Sequence, residues 1–210
     1  MDVNYWTAAY LAQHALRAWI YGPSAATPKT QDDYHFIMTS SSASFVGIAG
    51  YSPYAPAKAA LRSLHDNLRS ELSLYNGAAA RSKAVGAGPR RSIRIHTVFP
   101  GTILTPGFET ENTTKPEVTK VLEDGDPQST EDQVAAGSVA KLERGHEMIT
   151  TNLFGDAMRA TSMQGSLRDN WVIDTLFAWL MSVLWPILAW DLHRKAWNWG
   201  YQNGLPDEKR

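Results

Sequence analysis

The sequence predicts an α/β fold built on a parallel sheet with helices on both faces. Three short runs, at 34–38, 93–99 and 147–151, are apolar almost throughout, as strands covered on both faces require. Each is preceded by a stretch whose apolar residues recur every three or four positions. Helix and strand therefore alternate, the pattern of a parallel sheet.

The elements follow in order. In residues 3–20, Val3, Trp6, Tyr10, Leu11, Ala15, Leu16 and Trp19 share one helical face, and Asp2 is placed to cap its start. Gly22-Pro23 opens a polar loop reaching Asp33. Residues 34–38 form the first strand, and a serine-rich stretch, 39–44, leaves it. A second helix, 54–75, carries the stripe Leu61, Leu64, Leu68, Leu72 and Tyr75. Pro56 is tolerated because it falls in the first turn. Asn76-Gly77 is expected to end this helix. Residues 77–91, rich in Gly and Ala and carrying Arg81, Lys83, Arg90 and Arg91, read as a surface insertion. The second strand, 93–99, is closed by Pro100-Gly101, and a plain surface loop is expected over the acidic stretch 123–132. A helix at 133–144 and a strand at 147–151 complete the pattern, with no internal repeat.

Length and composition narrow the classes. The chain has 210 residues, room for one domain and an appendage. A net charge of −1 argues against a dedicated nucleic-acid binder. An apolar fraction of 43% supplies a core and excludes wholesale disorder. Cysteine is absent, which removes disulfide scaffolds, thiolate metal sites and cysteine nucleophiles. The six histidines form no ligand pattern: Glu147 follows His146 without the second His of a zinc helix. No metal is expected.

The end of the chain is a different kind of sequence. Six of the eight tryptophans lie between Trp171 and Trp199. Thr175 to Trp190 carries no charge. As a helix this stretch reaches roughly 24 Å, short of a hydrocarbon core of about 30 Å, and Pro186 is expected to kink it. Trp171, Trp190, Trp197 and Trp199 flank it as interfacial anchors do, and His193, Arg194 and Lys195 follow. A membrane segment, spanning or re-entrant, is expected, against the alternative of a buried terminal helix. The division is then 1–170, 171–199 as the membrane-associated segment, and 200–210 as a polar tail.

The chemistry is carried by Ser41, Tyr54 and Lys58. Tyr and Lys four apart share a helix face, and an ammonium beside a phenol favours the phenolate, lowering the tyrosine pKa from about 10. Such a phenol donates a proton to a carbonyl or takes one from an alcohol. Ser41 stands thirteen residues before Tyr54, just past a strand end, and no other Tyr here has both partners at those distances.

This set resembles the catalytic residues of the short-chain dehydrogenases/reductases. Asn4 resembles the helix asparagine that completes that family's tetrad. Pro100-Gly101-Thr102-Ile103-Leu104-Thr105 resembles its Pro-Gly loop, so that Tyr54, Lys58, Pro100, Gly101, Ile103 and Thr105 are the implied cofactor-binding residues. Thr105-Pro106-Gly107-Phe108-Glu109, the residues 112–115 and 133–135, and the Trp-rich end resemble the members that reduce sphingoid-base ketones. The resemblance covers nearly the whole chain. It implies the C-terminal part of a Rossmann-like, doubly wound parallel sheet. The implied activity is NADPH-dependent reduction of the C3 ketone of 3-ketodihydrosphingosine to dihydrosphingosine, in sphingolipid biosynthesis. Ser41 would polarise the carbonyl, Tyr54 would protonate the alkoxide, Lys58 would tune Tyr54 and hold the ribose, and Asn4 would position a relay water. The implied partners are a long-chain 3-keto sphingoid base and membrane lipids, with no nucleic acid and room for a homo-oligomer. The implied location is the endoplasmic reticulum membrane with the catalytic part facing the cytosol.

One part of the family pattern is missing. A strand and Gly-rich turn that cradle the pyrophosphate should precede the asparagine helix. Gly86-Ala87-Gly88 runs into Pro89, and Gly47 and Gly50 follow the serine instead. The chain is therefore expected to be an N-terminally truncated form that binds NADPH poorly and is inactive alone. Two other readings stand beside this one: a membrane-bound reductase of a steroid or fatty-acyl ketone, and a non-catalytic pseudo-reductase fragment.

Overall fold

The computed structural model describes residues 1–22, 33–84, 91–162 and 168–203. The polar loop to Asp33, the Gly86–Gly88 run and residues 204–210 of the polar tail lie outside these. A π-turn, Asp2–Trp6, leads into helix α1, Thr7–Tyr21. Asp2 does not cap it. Asp2 lies within the turn itself, and its carbonyl accepts a hydrogen bond from the Thr7 hydroxyl at 3.1 Å. Strand β1 is Tyr34–Thr39, helix α2 is Ala55–Ala84 and strand β2 is Ile93–Phe99. Then follow β3 (Thr102–Leu104), α3 (Pro106–Thr114), α4 (Glu117–Glu123) and β4 (Gln128–Thr130). The chain continues through α5 (Glu131–Glu143), β5 (Met148–Thr150), α6 (Leu153–Ser162) and α7 (Trp171–Asn203).

The predicted α/β class is correct, and the sheet is parallel in the order β1-β2-β5. Tyr34 pairs with Ile93 and Thr39 with Val98, so both strands deliver their carboxyl ends to one edge. Leu16 of α1, Leu61 and Leu72 of α2, Met38 of β1, and Ile93 and Ile95 of β2 form the buried core. Trp19 closes it by stacking on Tyr34 at 4.8 Å. β1 is covered on one face only: Met38 is buried, while its neighbour Ile37 is 48% exposed.

Two stretches differ from the sequence reading. Helix α2 runs through Asn76-Gly77 to Ala84. The Asn76 amide does not cap the helix, because it is engaged by β2. Its Nδ2 donates to the Ile93 carbonyl at 3.0 Å, and its Oδ1 accepts from the Ile93 N–H at 2.9 Å. The alanines that follow are good helix formers, so the surface insertion is helical as far as Ala84. The stretch 123–132 is not a plain loop. It contains β4, which pairs in parallel with β3, and it starts α5 with a reciprocal cap between Thr130 and Gln133. Pro186, where a kink is expected, lies inside the helix α7.

A histidine cluster lies partway along β1 and β2. His96 is fully buried, with its Nε2 3.0 Å from His35 Nδ1 and its Nδ1 2.8 Å from the His146 carbonyl. His65 packs on the other face, with Nδ1 3.0 Å from the Thr97 hydroxyl. Burial holds both His65 and His96 below the usual imidazole range, against the raising pull of Glu147. Each therefore takes up protons more readily unfolded than folded. Stability is full above the ordinary histidine pKa of about 6.5 and is lost as pH falls through and below it. Urea denaturation is expected to show a lower midpoint at pH 5 than at pH 7.5, with His65→Gln reducing the difference. Equal midpoints would exclude this coupling.

Candidate active site

A cavity of about 760 Å³ opens at the carboxyl ends of β1 and β2, where ligands of parallel α/β sheets bind. Its position follows from the chain path. The backbone turns sharply after each strand, and the turns are tied together: Ser40 N–H donates to the Val98 carbonyl at 2.8 Å and Ser42 N–H to the Pro100 carbonyl at 2.9 Å. The buried Ser40 hydroxyl donates to the Lys58 carbonyl at 2.9 Å, fixing the first turn of α2 against the end of β1.

Ser41, Tyr54 and Lys58 all line this cavity. Tyr54 enters α2 through a turn, and its carbonyl accepts the Lys58 N–H at 3.1 Å. The Lys58 ammonium lies 5.5 Å from the centre of the Tyr54 ring and 3.4 Å from the Thr39 carbonyl. Ser41 Oγ accepts the Ala43 N–H at 3.2 Å, so the serine also caps a short 3₁₀ turn, Ser42–Ser44.

The electrostatics differ from the sequence expectation. Burial raises the Tyr54 phenol above its ordinary range, and Glu111 adds to this. The Ser41 hydroxyl and the Lys115 ammonium pull it down, without reversing the net shift. The Lys58 ammonium sits over the ring and is itself held below the usual range by burial. The expected lowering by Lys58 is therefore not found in this structure. A phenol that keeps its proton is suited to donating one.

Of the Pro-Gly loop, Pro100, Gly101, Ile103 and Thr105 line the cavity. A Cβ at Gly101 would stand 2.9 Å from Asn152 Nδ2, so the Asn152 amide would have to shift to admit one. The Gly101 N–H donates to the Thr151 hydroxyl at 3.3 Å. Thr105 caps α3, accepting the Phe108 N–H at 3.0 Å. Asn4 is half-buried in the π-turn and is not among the residues lining the cavity.

Sequence reading missed two walls. One is a polar network under Tyr54. The Tyr51 and Tyr54 rings lie 5.6 Å apart, and the Tyr51 hydroxyl donates to Glu123 and, at 3.3 Å, to Glu111. Lys115, with a side chain only 3% exposed, bridges Glu123 at 2.7 Å and Glu111 at 3.0 Å. Burial opposes the Lys115 charge, and the two carboxylates overcome this and raise its pKa. Glu111, Glu123, Asp124 and Asp126 all line the cavity. Asp126 is pushed up by burial first and by Glu123 second. A signal for this wall existed in the spacing Glu111-Lys115, one helical turn. The other wall is α7: Trp185, Leu188, Asp191, Leu192 and Lys195 face the cavity. No spacing rule joins these to Tyr54, which lies more than a hundred residues earlier.

Among the described residues, no group of histidines and carboxylates is arranged to hold a metal ion. The backbone-lined, Gly101-containing mouth fits the approach of a flat cofactor ring at the strand ends. No Gly-rich turn between a strand and a helix occurs among the described residues before Ser41.

Comparison with known proteins gives a consistent result. The chain is 44% identical over its whole length to a 3-ketodihydrosphingosine reductase of Aspergillus fumigatus, of which it covers 57%. It is 35% identical over 98% of its length to that of Neurospora crassa, covering 53%, and 38% identical over 89% of its length to that of Cryptococcus neoformans, covering 49%. The chain thus spans about half the length of these relatives. Among solved structures, a short-chain dehydrogenase of Burkholderia cenocepacia in complex with NADP superposes with a TM-score of 0.52 at 16% identity, over 79% of this chain and 53% of that one. No family model matches.

Proposed function

We propose that this chain is a member of the short-chain dehydrogenase/reductase family and carries the catalytic half of an NADPH-dependent 3-ketodihydrosphingosine reductase. The observation that supports this most is the meeting of Ser41, Tyr54 and Lys58 in one cavity at the strand ends. NADPH, when bound, supplies the hydride for the C3 carbonyl carbon. The chain's own residues do the rest. Ser41 donates a hydrogen bond to the carbonyl oxygen, and Tyr54, kept protonated by burial, delivers its proton to that oxygen as charge develops. Lys58 holds the ribose and replenishes the proton on Tyr54. Asn4 acts, in this reading, through water from the edge of the site. Pro100, Gly101, Ile103 and Thr105, which line the cavity, would hold the nicotinamide.

The carboxylates favour a sphingoid base over a steroid or a fatty-acyl ketone. A 3-keto sphingoid base carries an ammonium one carbon from the reacting carbonyl, and Glu111, half-exposed although paired with Lys115, lines the cavity and acts on Tyr54. Glu111→Gln is expected to lower the preference for the free amine over its N-acetyl derivative about fivefold, the scale of a half-exposed ion pair. Steady-state kcat/KM for the two substrates checks this. An unchanged preference assigns the carboxylates to structure alone.

Residues 1–170 form the catalytic unit in this proposal, 171–199 the membrane-associated segment and 200–210 the tail. The helix Trp171–Trp199 is long and apolar enough to cross a membrane, and the endoplasmic reticulum with a cytosolic catalytic face is the proposed location. The test is NADPH oxidation with 3-ketodihydrosphingosine by the protein isolated from its own membranes. Residues 1–210 expressed alone are expected to give no turnover, since the described residues offer no pyrophosphate cradle. Turnover by that polypeptide would overturn the need for further sequence, and none by the isolated protein would favour the non-catalytic reading.

A further inference from the structure

We propose that α7 lies flat along one membrane leaflet without crossing the bilayer, and that its inner face forms the wall against which the substrate's alkyl chain rests. The proposal rests on the reductase reading for the identity of the alkyl chain, but not for the lie of the helix.

The first observation is where α7 touches the domain. Near its start, buried Asp174 pairs with Arg159 of α6 at 3.2 Å. Near its end, Asp191, Leu192 and Lys195 line the cavity. Between them Met181 is buried and Trp185 faces the cavity. From Asp174 to Lys195 the helix is about 32 Å long, as long as a hydrocarbon core is thick. A crossing helix held along that length would draw the charged domain into the bilayer with it. A helix lying in the plane does not.

The second observation is the opposite face. Leu176, Trp179, Val183, Ile187 and Trp190 are all exposed and follow one another at steps of three and four. Only 11% of the apolar window is buried, so this is not a core helix. The inner face carries Asp174, Asp191 and Lys195 toward the domain, and the outer face offers only apolar side chains, which lipid can cover.

The third observation is the tryptophan distribution. Trp171, Trp179, Trp190 and Trp197 are exposed by 75%, 71%, 61% and 74%. Indoles concentrate at the membrane–water boundary. A crossing helix has two such levels, about 30 Å apart, and would leave Trp179 between them. An in-plane helix keeps all four at the boundary. The cavity is walled by the same helix, so an alkyl chain passes from the leaflet past Leu188 and Trp185 to the carbonyl site without entering water.

The chain has no cysteine, which makes the test direct. Ser70→Cys, on an exposed turn of α2, and Gln202→Cys, at the end of α7, are expressed separately and sealed microsomes are treated with a membrane-impermeant maleimide. Both are expected to react before permeabilisation. Reaction of Gln202→Cys only afterwards, with Ser70→Cys reacting before, means a crossing helix and overturns the proposal. So does recovery of the protein in the soluble fraction, including as a dimer that covers the face with a second copy. For the inner face, Leu188→Glu is expected to lower the ratio of kcat/KM for the long-chain ketone over a short-chain analogue about tenfold, the scale of a lost apolar subsite. An unchanged ratio overturns the wall. Wild-type protein isolated from its own membranes that reduces neither ketone ends the reductase reading and the wall with it, while the labelling still decides the lie of the helix.

Discussion

Tyr54→Phe is expected to slow ketone reduction by about 10²- to 10⁴-fold, the contribution of a positioned general acid. The phenol ring stays, so its contacts with Tyr51 and the Lys58 ammonium are kept, and the melting midpoint should hardly move. The readout is single-turnover loss of NADPH absorbance under saturating ketone. The raised phenol adds a sign to the pH dependence. Burial keeps Tyr54 protonated at and above neutrality, so the reductive rate should not fall with rising pH until beyond the ordinary tyrosine range of about 10. A loss below tenfold in the Phe variant would move the proton donor elsewhere, with Tyr51 the other phenol lining the cavity. Tyr51 is a poor candidate on chemistry, because burial and Glu123 raise its pKa far above its usual value.

The second large effect concerns stability. Asp174→Ala is expected to cost about 3 kcal/mol, because it leaves a buried guanidinium short of its partner. Arg159 and Asp174 both have side chains 9% exposed. Asp169, at 3.3 Å, remains as a second carboxylate but is more exposed, at 22%. Asp174 also accepts the Asn170 N–H at 3.2 Å, so the start of α7 loosens as well. The check is the urea midpoint, with the double variant Arg159→Met and Asp174→Leu as control. Replacing both charges by apolar groups should recover most of the loss. A single variant as stable as the wild type would mean that α7 is held by apolar contact alone.

The sheet and the cavity were legible in the sequence to different depths. β1, β2 and β5 were visible because apolar runs mark strands whatever the context, and Ser41, Tyr54 and Lys58 because helix and strand-end geometry turns fixed spacings into proximity. β3 and β4 were not visible. Each is three residues long, too short to show a period, and each is stabilised by the other across the chain. The end of α2 was misjudged because a local rule was applied to Asn76, whose amide is spent on Ile93, seventeen residues away. The tuning of Tyr54 was misjudged for a related reason. Spacing placed Lys58 beside the ring, but the opposing desolvation, and the charges of Glu111 and Lys115, come from elements that only the fold brings near. The α7 wall was hidden for the same cause, since its residues read as membrane-like or terminal until packed against α4 and α6.

The clasp between Asn76 and Ile93 has a consequence for how such chains can vary. One side chain satisfies both backbone groups of the residue that opens β2, so the register of the central strand is set at the clasp and not by the path of residues 77–92. The two ends of that excursion are pinned whatever lies between them. Helix α2 itself continues to Ala84 with Ala79 buried, so a tag or reporter domain placed after Ala84 should leave the sheet, and the cavity at its far end, in register.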